Sequence, residues 1–142
     1  MGEVTILKIG KNVIVPIQTE LHDHAARKLQ MDILNRIEKT GAEGLIIDVS
    51  SVSIIDSFLG RLLVETAKMA KLMGTETVLS GMKKEVVLTL IHLGLTMKNL
   101  RTALNIEDAL ILLESLKGKI HEKKEYRRPC GGGGAEYPSY KY

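Results

Sequence analysis

Tryptophan is absent from these 142 residues, cysteine and phenylalanine occur once each, and proline occurs three times. The single thiol, Cys130, precludes an internal disulfide and a thiolate zinc cluster, so a reducing, cytoplasmic setting is expected. No apolar run reaches the ~20 residues that a membrane-spanning helix needs. The amino end lacks a basic region followed by an apolar one. Ile6 stands where a myristoylation signal beginning at Gly2 needs Ser or Thr, so neither export nor a lipid anchor is expected. What is present is 44% hydrophobic and 26% charged, the composition of a globular chain long enough for one core.

The formal net charge of +3 raises the question of nucleic acid, and its location answers it. Arg127, Arg128 and Lys141 against Glu136 give +2 to residues 126–142, leaving +1 for residues 1–125. All four tyrosines are also in that tail, so the rest of the chain has no Tyr or Trp on which bases could stack. Nucleic-acid binding is therefore not expected. The tail, "YRRPCGGGGAEYPSYKY", has no apolar periodicity and cannot bury enough surface to offset chain entropy. Its "GGGG" is followed by no Lys-Ser/Thr and preceded by no strand, which favours a linker over a phosphate cradle. The reading is one domain over residues 1–120 and a disordered tail over 121–142.

Within the domain, "VTILKI" and "NVIVPI" are β-branched runs flanking a "GKN" turn and read as an antiparallel hairpin. "HDHAARKLQMDILNRIEKTG" places Ala26, Leu29, Ile33 and Ile37 at helical spacing and stops at Gly41. "GLIIDV" is a nearly continuous apolar strand, as expected mid-sheet. "DSFLGRLLVETAKMAKLMG" sets Leu59, Leu62, Leu63, Ala70 and Met73 on one stripe, with Gly74 as its stop. "TVLSG" reads as a strand, "KKEVVLTLIHLG" as a helix, "LRTAL" as a short strand and "NIEDALILLESLKGK" as a closing helix. Asn105 would cap that last helix, with Glu107 and Asp108 in its first turn. The order predicts an α/β fold: a mixed, mainly parallel sheet with four to five helices on one or both faces.

The stretch "VSSVSIIDSFLGRLL" concentrates the polar chemistry. If the strand ends near Val49 and the helix begins near Asp56, Asp56 is a natural cap and Ser57 lies in the first turn. Free backbone amides at that end could hold a phosphoryl group on Ser57. Phosphorylation adds about two negative charges. Asp56 is adjacent and already negative, so the main consequence would be a changed outward surface. Phe58 is either core or a partner anchor, and core is the plainer reading. Gly60 inside the helix costs ~1 kcal/mol relative to Ala and points to close packing or an approaching partner. Taken alone, the Asp-Ser pair does no more than start a helix.

The run "LIIDVSSVSIIDSFLGRLL" resembles the central signature of the STAS domain, the fold of bacterial anti-sigma-factor antagonists: a strand ending in Asp, a loop, then Asp-Ser before a helix. Residues 4 to about 116 follow that family's element order, and "VPIQTELHDHAARKL" resembles its segment between the second strand and the first helix. "IDSFLG", "AKLMG" and "VVLTLIHLG" resemble the RsbS branch, small scaffold subunits of the stressosome, and Phe58 after Ser57 departs from the Asp-Ser-Ser or Asp-Ser-Thr-Gly of generic antagonists. The resemblance implies that Ser57 is the phosphoacceptor, that an RsbT-type serine/threonine kinase delivers the phosphate, and that the chain has no catalytic residues or cofactor of its own. It further implies co-assembly with RsbR-type STAS paralogues, self-association as dimers within a large assembly, release of the kinase on phosphorylation, and a cognate phosphatase that resets the serine. Asp48 and Asp23 match acidic positions near the family's site.

Other readings stay open. An enzyme would need a base beside the serine, and His22, His24, His92 and His121 fall in no nucleophile elbow. The two histidines of "HDH" point in different directions on a helix, which disfavours a metal pair. A generic anti-sigma-factor antagonist, or a STAS module binding a ligand or nucleotide, is the alternative, though no glycine-lysine phosphate loop is present.

Overall fold

The computed structural model describes residues 5–17, 21–94 and 100–126, with side chains described through residue 116. Cys130, the glycine run and the basic tail lie outside the described residues. Strand β1 (Leu7–Ile9) pairs antiparallel with β2 (Asn12–Pro16), Leu7 opposite Ile14. Strands β3 (Gly44–Asp48), β4 (Glu76–Ser80) and β5 (Leu100–Ala103) extend the sheet in parallel, in the order β1-β2-β3-β4-β5. Four helices complete the fold: α1 (Asp23–Thr40), α2 (Ser57–Leu72), α3 (Lys84–His92) and α4 (Ile106–Tyr126). The α/β architecture with its opening antiparallel pair is the one expected, and α4 runs past residue 120 through the helix-forming "HEKKEY".

The strand order dictates where the helices go. When parallel strands are added in one direction through right-handed crossovers, each connecting helix falls on the same face. The packing agrees: Val13, Val15, Leu45, Ile47 and Leu79 meet Leu29, Ile33, Leu62, Leu63, Val86 and Leu90 in one core. The alternate residues Ile14, Ile46 and Val78 face the other way and are closed by Ala109 and Leu113 of α4. Gly44 lets α4 approach, since a Cβ there would lie 2.7 Å from Leu113 Cδ1 and 2.3 Å from Asn12 Oδ1.

Helix α1 buries the expected Ala26, Leu29, Ile33 and Ile37, and ends at Gly41 with φ 67°, a left-handed conformation that favours glycine. Gln30 is buried too, donating to Thr66 Oγ1 at 3.0 Å across the contact between α1 and α2. The α2 stripe is buried as expected except for Met73, which is 42% exposed. Met73 is the C-cap, with φ −92° and ψ 7°, so helical spacing no longer sets its direction. Asn105 caps α4, its Oδ1 accepting the Asp108 amide at 2.8 Å. Among the described residues no helix is long and apolar enough to cross a membrane.

Candidate functional site

Parallel strands bring their carboxyl ends to one edge, and Pro16, Asp48, Ser80 and Ala103 stand in register there. The backbone ladder continues one residue beyond the strands: the amides of Ile17, Val49 and Gly81 donate to the carbonyls of Asp48, Ser80 and Ala103 at 2.9, 2.9 and 3.0 Å. Residues 49–56 leave this edge and enter α2. Val52 and Ile55 turn into the core, 2% and 3% exposed, while Ser51, Ser53 and Ile54 face solvent. Burying two apolar residues of a short loop fixes the path of the polar ones between them.

Asp56 is the N-cap of α2. Its Oδ1 accepts the Leu59 amide at 2.8 Å, and its carbonyl accepts the Gly60 amide at 2.9 Å. Ser57 is the first helical residue and is exposed. Among the described residues nothing hydrogen-bonds its hydroxyl. The amides of Ser57 and Phe58 open the helix and have no intrahelical acceptor, so the hydroxyl sits where partial positive charge is concentrated. Among the described residues no group of three or more His, Cys, Asp and Glu side chains could hold a metal ion.

The other expected site residues occupy distinct places. Phe58 is half-buried, packed against the core, with the Arg27 guanidinium 5.5 Å from its ring centroid. Asp23 is exposed at the start of α1, four residues before Arg27 and hence on the same face of that helix. Gly60 is buried in α2, consistent with close packing. Asp48 is turned elsewhere: its Oδ1 accepts the Ser80 hydroxyl at 2.8 Å and its Oδ2 the Ser50 hydroxyl at 2.9 Å. Strand alternation puts Asp48 on the α4 side of the sheet with Ile46, away from the face that α2 covers. The sequence reading missed Ser80 and Gly81, legible only as small residues ending an apolar strand, and Ile54, an apolar residue beside a polar loop.

A family model described as the STAS domain matches residues 3–109. The chain belongs to the STAS-domain family. Among solved STAS structures, Moorella thermoacetica RsbS with a serine-to-glutamate exchange superposes with a TM-score of 0.75 at 33% identity, covering 82% of this chain and 99% of that one. A chain from a structure of the stressosome, described as a signal integration and transduction hub, gives 0.72 at 35% identity, covering 80% and 98%. In sequence, the RsbT co-antagonist protein RsbRD of Bacillus subtilis is 30% identical over 97 residues, 68% of this chain and 35% of that protein. The chain thus spans about a third of that curated relative's length, and it is related to both RsbS- and RsbR-type STAS proteins.

Proposed function

We propose that this chain is a non-catalytic regulatory subunit of a stressosome-type assembly in the cytoplasm. It holds an RsbT-type switch kinase while Ser57 is unphosphorylated and releases it once Ser57 bears phosphate. The observation behind this reading is the exposed hydroxyl of Ser57, unengaged among the described residues, at the first position of a capped helix in a STAS fold that covers 99% of the RsbS chain it resembles. In the transfer, the Ser57 oxygen forms a bond to the γ-phosphorus of ATP, ADP leaves, and the kinase takes up the hydroxyl proton. The product places a near-dianion on a surface whose free amides attract it and whose Asp56 carboxylate repels it. The helix therefore changes little, and the kinase meets a new charge. RsbR-type paralogues would complete the assembly, with this chain as a dimer within it, and a cognate phosphatase would restore the hydroxyl.

The test is incubation with an RsbT-type kinase and ATP, followed by peptide mapping and co-sedimentation. Phosphate on Ser57 and loss of kinase from the pellet are expected. Ser57→Ala should retain the kinase, and Ser57→Asp, with one charge and two acceptor oxygens, should release it in part. Release from Ser57→Ala on ATP addition, with no paralogue present, would place the switch on another residue.

A further inference from the structure

The carboxyl end of β4 is joined to the loop before Ser57 by contacts that do not include Ser57 itself. Ser80 is fully buried and donates to Asp48 Oδ1, while the other oxygen of the same carboxylate receives Ser50 from the loop. A carboxylate accepting two hydroxyls is held in rotation as well as position, because neither oxygen can move without losing a charge-assisted bond. Gly81 follows with φ +76°, and a Cβ there would lie 2.7 Å from Ser50 Cβ, 3.2 Å from Ser50 Cα and 3.1 Å from Asp48 Oδ1. The loop rests directly on the Gly81 backbone. The Val49 amide donates to the Ser80 carbonyl and the Val52 amide to the Val49 carbonyl, so the loop's first turn is built on β4.

We infer that Ser80 and Gly81 are positioning residues for Ser57: β4 sets the path of residues 49–53 through the Ser80–Asp48–Ser50 latch, and thereby the placement of the hydroxyl that is phosphorylated. The inference rests on the reading of Ser57 as phosphoacceptor. The loop is held at its start by the latch, further along by the buried Val52 and Ile55, and at its finish by the Asp56 cap. Releasing the first anchor leaves α2 intact but lets the approach to it wander. Phosphoryl transfer is sensitive to that, since in-line geometry supplies much of its rate.

Two chemically different perturbations should converge. Ser80→Ala removes the hydrogen bond, and Gly81→Ala pushes the loop outward by sterics. Each should speed amide hydrogen exchange at residues 49–53 about tenfold, with protection in α2 unchanged. Each should also lower kcat for Ser57 phosphorylation by an RsbT-type kinase about tenfold with KM nearly constant. Val78→Ala, a core cavity on the α4 side, serves as control: it should lower the melting temperature and leave kcat and loop exchange alone. Should Ser80→Ala fail to fold, Ser50→Ala tests the same latch from an exposed position. Unchanged loop exchange and kcat in the folded latch variants, or an equal kcat loss in Val78→Ala, would overturn the inference. Absence of phosphate on Ser57 in the unaltered protein would instead overturn the functional reading, and the exchange measurement would still decide whether the latch positions the loop.

Discussion

Replacing Asp56 separates two contributions that the same carboxylate makes to α2. Its Oδ1 takes the Leu59 amide at 2.8 Å, so Asp56→Ala strands one amide of the first turn, a loss of about 1 kcal/mol for a typical N-cap. The negative charge at the positive end of the helix adds about 0.3–1 kcal/mol at an exposed site. The alanine variant should therefore lose about 1–2 kcal/mol, roughly 4–8 °C in melting temperature for a domain of this size. Asp56→Asn keeps an oxygen for Leu59 and discards the charge, so it should lose only the second contribution, about 0.3–1 kcal/mol. Salt distinguishes them further, because in about 1 M salt the charge contribution is screened and the cap hydrogen bond is not. The asparagine variant should then approach the unaltered protein while the alanine variant remains destabilised. Urea unfolding followed by circular dichroism at low and high salt measures all of this. An asparagine variant as unstable as the alanine one, or an alanine variant within about 0.3 kcal/mol of the parent, would refute the capping account.

Ile54 is 67% exposed three residues before Ser57, a large apolar side chain on the loop that leads into α2. Ile54→Ala should weaken kinase binding about tenfold, read by calorimetry, with no change in melting temperature. Phosphorylation of Ser57 should move unfolding stability by less than about 1 kcal/mol, because attraction to the helix end and repulsion from Asp56 are of similar size in water. A large shift in thermal unfolding of the phosphorylated protein would contradict that balance. Gly44→Ala should cost about 1–3 kcal/mol in urea unfolding, since its Cβ would press on Leu113 and Asn12 and force α4 outward.

Local chemistry alone specifies the element order, the polar loop between the third strand and the second helix, and the cap at Asp56. The signals are β-branched runs, helical spacing that stops at glycine, and an Asp-Ser pair before an apolar stripe. Phe58, expected as core or as a partner anchor, is half-buried against the core, and its Arg27 neighbour was not legible in the sequence. Met73 shows where spacing fails, at a helix end where φ and ψ have left the helical range. Long-range packing is what sets α4 over the opposite face, turns Ile54 and not its neighbour Ile55 to solvent, and directs Asp48 toward Ser50 and Ser80. The Asp48–Ser80 hydrogen bond joins residues 32 apart in sequence, on strands whose register is set by the burial of whole faces, and no local pattern encodes which side chains that register makes neighbours.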